Sequence, residues 1–433
     1  LRYSVTVYRR LVWLLAFLPG LLMLPFLQQA DISTAPAWLN TLGRLTGIWG
    51  LSFMLLAAAL CCRVPGFDRP FGGLTKLWQL HHRLAGVAFL LLLAHPLLLA
   101  FASTAISLEA AVSTLFSSNA PVIWGWVALL SLMLFMAPSF GFFGDPEYQR
   151  WKFLHRLSGV AVVFALVHTL MLARTWPDWL NISVWTVLAT LALTALAYRW
   201  GYARWQGRQP YRVVEVVHPA RDVVELTLRP EGKPMRYQAG QFVYLTPWIP
   251  GVPGHREEHP YTLSSAPTET DLRLAIKDLG DASRALQTVA LDTAVWVEGP
   301  YGSFFPDKPS GPELWIAGGI GVTPFLGRIR EAISRGQALP VHLIDCVQDE
   351  TRFLFGEELE AAFAQWPDSG LSVHYFYREG PLDADYIEKV CPDFRTREIY
   401  LCGPLPLLEK AQEILTDCGV PSHRIVSEEF VLL

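Results

Sequence analysis

Trp78-Gln-Leu-His81-His82-Arg83-Leu84-Ala85-Gly86, with His95 nine residues on, and Trp151-Lys-Phe-Leu-His155-Arg156-Leu157-Ser158-Gly159, with His168 nine residues on, are two copies of one pattern. Each copy runs into a long apolar stretch, and histidines at membrane depth are costly enough to mark function. These stretches, near 80–103 and 153–174, are two of six; the others lie near 8–28, 41–62, 121–139 and 181–200. At about 20 residues each they are long enough to cross a hydrocarbon core of about 30 Å as helices. The first is expected to be a retained span and not a signal peptide, because no small-residue cleavage site follows Leu27 and five more spans do. Basic residues collect before span 1 (Arg2, Arg9, Arg10), between spans 2 and 3 (Arg63, Arg69, Lys76), between 4 and 5 (Arg150, Lys152) and after 6 (Arg199, Arg204, Arg208). Both termini are therefore expected in the cytoplasm, with spans 3 and 5 running parallel.

Thirteen residues of helix rise about 20 Å, so each of these spans carries one histidine towards each face of the bilayer. Two stacked pairs result, His82 with His155 and His95 with His168, and paired imidazoles suit the irons of two non-covalent b-type haems. Gly86 and Gly159 leave room for a flat macrocycle. Arg83 and Arg156 are placed either for haem propionates or as interfacial anchors. The helical phase raises one difficulty. Thirteen residues are about 140° out of phase on an ideal helix, whereas the 14 from His81 to His95 are nearly in phase. The repeat selects His82 as the inner ligand, with His81 open as the alternative.

The chain has 433 residues, 52% of them apolar, and a mean hydropathy of +0.29, beyond the range of an ordinary soluble protein. Its net charge of −4 averages two unlike parts: before position 200 there are six acidic and 13 basic residues, and the excess reverses afterwards. No basic patch with a nucleic-acid-binding module is present, so nucleic acid is not expected as a partner. The six cysteines form no CxxC or CxxCH pair, which argues against a zinc site or covalently attached haem.

The fold expected is a membrane-embedded all-α six-helix bundle (1–205), then a small β-barrel domain (209–308) and an α/β nucleotide-binding domain (312–433). Strand-like alternation in Val213-Val-Glu-Val-Val and Val223-Val-Glu-Leu-Thr-Leu supports the barrel, and strand–helix alternation after 313 supports the last domain. Four loops carry chemistry there. His259-Pro260-Tyr261-Thr262-Leu-Ser-Ser265 offers an aromatic and hydroxyls to a flavin ring. Lys277-Asp-Leu-Gly280-Asp-Ala-Ser283-Arg284 offers amides, a hydroxyl and positive charge to a pyrophosphate. Gly318-Gly319-Ile320-Gly321-Val322-Thr323-Pro324 follows a strand and opens a helix, so a second pyrophosphate can approach its backbone. Cys402-Gly403-Pro404 ends a later strand at the sheet edge where such ligands bind.

Together these motifs resemble, over essentially the full chain, the ferric reductase and NADPH oxidase family, whose second half is a ferredoxin-NADP reductase-like module. His259 to Thr262 is similar to the flavin-stacking tetrapeptide, Gly318 to Pro324 and Cys402 to Pro404 to the nicotinamide-dinucleotide segments. Tyr237-Gln-Ala-Gly240-Gln-Phe and Glu298-Gly-Pro-Tyr-Gly302 are similar to flanking segments. The resemblance implies FAD, NADPH with NADH as the alternative, and two haems. It implies hydride transfer near Thr262 and Cys402, with Phe430 as the near-terminal aromatic covering the flavin. Arg378 stands where a 2′-phosphate-binding arginine is expected, with Arg352 in support. Arg44 stands either at an oxygen site or as a plain anchor; Leu99 occupies the place of a second outer histidine. Electrons would leave on the outer face of a bacterial plasma membrane, to O2 giving superoxide, to a ferric chelate, or to a protein partner.

Overall fold

The computed structural model describes residues 2–139, 148–172, 176–203, 207–248, 257–306 and 311–429. It divides into two compact units, Tyr3–Arg63 with Thr75–Tyr202, and Val64–Leu74 with Ala203–Leu433.

The first unit is helical: α1 (Arg2–Met23), α2 (Ala35–Ala59), α3 (Leu74–Ser103), α4 (Leu108–Phe116), α5 (Ala120–Met136), α6 (Tyr148–His155), α7 (Ser158–Leu172) and α8 (Asp178–Ala197). Six segments are long and apolar enough to cross a membrane, at Val7–Phe26, Ala35–Ala59, Leu74–Ser103, Ala120–Ser139, Arg150–Leu172 and Asp178–Tyr202. Helix α2 is the hub, with 61% of its most apolar stretch buried against 17–28% in the others. Thr34 caps its N-terminus, its side chain accepting from Ala37 N. Its glycines set the packing: a Cβ on Gly43, Gly47 or Gly50 would stand 2.6–2.7 Å from Leu99, His95 or Leu92 of α3. Small residues one turn apart thus let α2 and α3 touch at backbone distance.

Two features depart from six uninterrupted spans. The fifth is broken, α6 ending at His155 and α7 starting at Ser158, with Arg156 and Leu157 in a turn. The short helix α4 sits between spans 3 and 4. Leu108, Val112 and Phe116, spaced four apart, stay exposed on it, a face suited to lipid.

The second unit holds two sheets. Strands β1 (Arg208–Ala220), β2 (Val223–Pro230), β3 (Phe242–Pro247), β4 (His259–Thr262), β5 (Leu272–Lys277) and β6 (Ala294–Tyr301) form an antiparallel sheet in the order β4-β3-β6-β1-β2-β5. Register shifts at Val213/Glu215 and Val217/Ala220 bend the long first strand, and the sheet curls around Tyr211, Val224, Leu226, Val243, Leu274 and Val297. The short helix α9 (Asp281–Leu286) follows β5.

The second sheet is parallel, with β7 (Glu313–Gly318), β8 (Val341–Val347), β9 (Gly370–Tyr375), β10 (Glu398–Gly403) and β11 (Ile425–Glu429) in the order β11-β10-β7-β8-β9. Helices α10 (Thr323–Ser334), α11 (Gly356–Phe363), α12 (Phe376–Glu379), α13 (Ala384–Val390) and α14 (Leu405–Asp417) connect its strands. Chain order runs one way from β7 through β9 and the other way from β10, so the crevice at the carboxyl ends of β7 and β10 is the topological switch point.

The two sheets are tied by a buried cation. Arg330 on α10 contacts Glu225 and Glu358, each at 2.7 Å, and donates to Ser264 O at 3.0 Å. Ser264 Oγ in turn donates to Glu225 at 2.7 Å. Removing one member would strand a buried charge, at a cost of about 3–5 kcal/mol.

Candidate functional site

The histidine pairs form inside the first unit. His95 and His168 have ring centroids 6.1 Å apart, and His81 and His155 have theirs at the same 6.1 Å. Two imidazoles gripping one metal atom from opposite sides, at about 2 Å per metal–nitrogen bond, stand roughly 6 Å apart by centroid. Both spacings fit a bis-imidazole iron.

Hydrogen bonds orient three of the four rings in a repeated way. His95 Nδ1 donates to Gly43 O, His168 Nδ1 to Pro121 O and His81 Nδ1 to Ala57 O, each at 2.7 Å. A donor at Nδ1 leaves Nε2 unprotonated and available as a ligand. Gly47 and Gly125, each one turn after an accepting residue, lie so close that a Cβ would stand 2.7–2.8 Å from the His95 and His168 rings. The α2–α3 and α5–α7 pairs therefore present their second histidine through the same device.

At the first pair it is His81 whose ring stands 6.1 Å from that of His155. His82 is exposed, while His81 carries the carbonyl bond and faces His155. The reason is helical phase. Helix α3 is continuous, so of the two adjacent histidines it is His81, 14 residues before His95, that points nearly the same way. Span 5 breaks at Arg156-Leu157, and the turn absorbs the misfit of the 13-residue spacing. Arg83 and Arg156 are both exposed. Nothing lies within 4 Å of where a Cβ would stand on Gly86 or Gly159, the open space a flat group needs.

A cavity of 690 Å³ adjoins the second pair, lined by His95, His168, Gly47, Gly125, Trp176 and Trp185 among others, with Arg44, Ser113, Thr114 and Thr169 supplying polar wall. This is within the usual range for a small-molecule or cofactor site. Arg44 is not free to swing: Nη2 meets Asp31 Oδ1 at 2.6 Å and Thr41 Oγ1 at 3.2 Å. Leu99 also lines the cavity.

In the second unit, His259, Pro260, Tyr261 and Thr262 form β4, registered against Leu245, Tyr244, Val243 and Phe242 of β3. Burial pushes the Tyr261 phenol up, so it stays neutral. Ser265 does not fit the role expected of it. It is fully buried, and its hydroxyl is used by Tyr237 OH at 2.6 Å and Arg273 N at 3.0 Å, so it braces the loop. Ser283 likewise turns inward, accepting from the amides of Leu279 at 2.8 Å and Gly280 at 3.0 Å. Lys277 reaches towards Asp222 at 4.0 Å, and Arg352 pairs with that same carboxylate. Arg352 is thereby committed away from Arg378. The Glu298-to-Gly302 segment is held by a residue that sequence reading missed: Gly302 N donates to Asp68 Oδ2 at 3.2 Å, within the unit that includes Val64–Leu74.

The two glycine loops meet at the switch point. Gly318 ends β7, Gly319 takes a left-handed φ of +54°, and a 3-10 turn through Ile320, Gly321 and Val322 leads into α10 at Thr323 and Pro324. A Cβ on Gly321 would stand 2.2 Å from Cys402 O, and one on Gly403 would stand 3.1 Å from Gly318 N. Glycine is required here so that two backbones can touch. Gly318 is similarly tight against Pro404, at 3.0 Å. Cys402 is fully buried and burial holds its thiol well up, so it packs the crevice floor as an uncharged side chain. Arg378, on α12 just past β9, lies 4.4 Å over the Tyr375 ring and pairs with Glu350 at 3.2 Å and Glu379 at 3.1 Å. Phe430 lies outside the described residues.

Residues 46–166 match the family described as ferric reductase like transmembrane component, 209–304 an FAD-binding domain and 315–413 an oxidoreductase NAD-binding domain. The chain is 26% identical over 250 residues to the flavohemoprotein of Bordetella pertussis, covering 52% of this chain and 61% of that one. It is 31% identical over 231 residues to the ferredoxin reductase component of 3-ketosteroid-9-alpha-monooxygenase of Mycolicibacterium smegmatis, covering 51% and 64%. It thus spans less than two thirds of these relatives' lengths. The flavohemoglobin structure from Malassezia yamatoensis, 18% identical, aligns over 93% of this chain and 98% of that one at a TM-score of 0.50, a likeness of fold. Six helices long and apolar enough to cross a membrane, in a region of ferric reductase like transmembrane type, are thus joined in one chain to an FAD-binding domain and an oxidoreductase NAD-binding domain, an arrangement that matches a ferric reductase/NADPH oxidase-like family.

Proposed function

We propose that this protein moves electrons from cytosolic NADPH through FAD and two b-type haems to dioxygen on the outer face of a bacterial plasma membrane. Both termini then lie in the cytoplasm. The observation that carries the reading is the pair of 6.1 Å imidazole spacings, about 21 Å apart along α3, in one chain with flavin and dinucleotide domains. His81 and His155 would hold one haem, and His95 and His168 the other. Bound there, haem would supply one-electron chemistry, and flavin the exchange between hydride and single electrons.

The protein's own residues position and exclude. The carbonyls of Gly43, Pro121 and Ala57 fix imidazole tautomers. Tyr261 and Thr262 on β4 present an aromatic face and a hydroxyl to the flavin ring. The glycine loops let the dinucleotide pyrophosphate reach the α10 N-terminus, and Arg378 offers its guanidinium to a 2′-phosphate. Overall, one NADPH and two O2 give NADP⁺, one proton and two superoxide ions.

Dioxygen is favoured over a ferric chelate by the cavity beside the second pair, whose described wall is apolar with a few hydroxyls and one arginine. The test is NADPH oxidation by the purified protein with FAD in detergent, under air and under argon. Dismutase-sensitive cytochrome c reduction under air supports the oxidase. Undiminished ferric-chelate reduction under argon, without superoxide under air, overturns it.

A further inference from the structure

We propose that Asp31 is the residue that sets acceptor class. By pairing with Arg44 it cancels the cationic side chain on the wall of the histidine cavity, so the mouth gives an anionic acceptor no advantage over an uncharged one. This rests on the reading that electrons leave beside His95 and His168.

The pair is built. Asp31 Oδ1 meets Arg44 Nη2 at 2.6 Å. Asp31 Oδ2 accepts from Gln28 N at 2.8 Å, and Asp31 O accepts from Thr41 Oγ1 at 2.9 Å. Thr41 also accepts from Arg44, so Asp31, through its carboxylate to Arg44 and its backbone carbonyl to Thr41, closes a triangle with that hydroxyl and guanidinium between the α1–α2 connection and the first turns of α2. The Gln28 amide, with Arg44 beside it, holds the Asp31 carboxyl below the usual carboxylate range, so it is ionised at neutral pH.

Apart from the histidines, Arg44 is the one ionisable residue among the cavity's described lining residues. The other described ionisable side chains on connections at this end, Glu109 in the first turn of α4 and Asp178 in the first turn of α8, are acidic. Left unpaired, Arg44 would focus anions into the cavity. Fields of this kind raise association rates by tenfold or more and fade as salt shortens the screening length to about 8 Å. Dioxygen, being uncharged, is blind to it. In each encounter one electron leaves the reduced protein, O2 becoming superoxide or ferricyanide becoming ferrocyanide.

The experiment reduces the full, haem-loaded chain in detergent without oxygen, then follows reoxidation after mixing with O2 or with ferricyanide at low and high ionic strength. For Asp31→Asn, which keeps an acceptor for Arg44, the ratio of ferricyanide to O2 rate constants should rise about tenfold at low salt and fall back at high salt. The double variant Asp31→Asn/Arg44→Gln should return the ratio to the wild-type value. An unchanged ratio in Asp31→Asn, or a rise that ignores salt and survives in the double variant, overturns the proposal. Failure of O2 to reoxidise the wild type would instead overturn the dioxygen reading, and the ferricyanide rates at two salt concentrations would still decide the role of Asp31.

Discussion

His81→Ala and His82→Ala change adjacent residues, and the structure expects them to behave oppositely. Stepping back from His95 along the uninterrupted helix α3, His81 is about 40° from eclipsing it and His82 about 140°. His81 has its ring 6.1 Å from His155 and its Nδ1 on Ala57 O, whereas His82 is exposed. His81→Ala should therefore lower the haem content from two per chain to one, and His82→Ala should leave two. Loss of fold does not confound the comparison. Ala57 O still accepts from Leu60 N at 3.2 Å, so removing the imidazole costs about 1 kcal/mol. Haem-to-protein ratio by pyridine haemochrome, with the low-spin EPR signals counted in both variants, is the measurement. Flavin reduction by NADPH should persist in both, while cytochrome c reduction is lost only in His81→Ala. Two haems in His81→Ala and one in His82→Ala would refute the phase argument and restore the reading of the repeat.

Gly321→Ala forces a Cβ to 2.2 Å from a backbone oxygen; at about 1–3 kcal/mol of overpacking, the NADPH KM should rise tenfold or more while haem content stays at two. Arg378→Ala should raise the NADPH KM about tenfold and leave the NADH KM within twofold, as loss of a phosphate-binding guanidinium predicts; an unchanged NADPH KM sinks the assignment. Asp345, fully buried at the end of β8 with neither carboxylate oxygen partnered, has its pKa pushed up to about 7 by burial. Because the folded value lies above the unfolded value near 4, its protonated form favours the fold at low pH and that contribution is lost as pH rises through 7. The swing is up to about 4 kcal/mol. Thermal scans should show wild-type stability falling between about pH 4 and 7 and levelling off above it, and Asp345→Val should flatten that slope; an equal slope in both would dismiss it.

Sequence made the spans and the order of domains legible because both rest on signals contained in single segments: apolar length in the helices, glycine loops between strand and helix in the sheet. His81 shows where such reasoning fails. Trp78-x3-His82-Arg83-Leu84-x-Gly86 matches span 5 residue for residue, but matching residues are not matching rotations when one helix is continuous and the other turns at Arg156-Leu157. The 14-residue phase is the signal that the His81–His155 ring spacing follows, since helical geometry acts on every residue while a repeat records only ancestry or convergence. Ser265 and Ser283 misled for a different reason. A hydroxyl in a ligand-facing motif has the same letter whether it meets the ligand or, as here, the loop's own amides and Tyr237. Asp31, Asp68 and Arg330 had no local pattern at all, because their partners lie 13, 234 and 105 residues away. They share one physical trait. Each is an ionisable side chain held by a distant segment, and such groups are costly to desolvate unless something holds them. The contacts that aim a recognisable motif are therefore the part of this site that only the folded chain reveals.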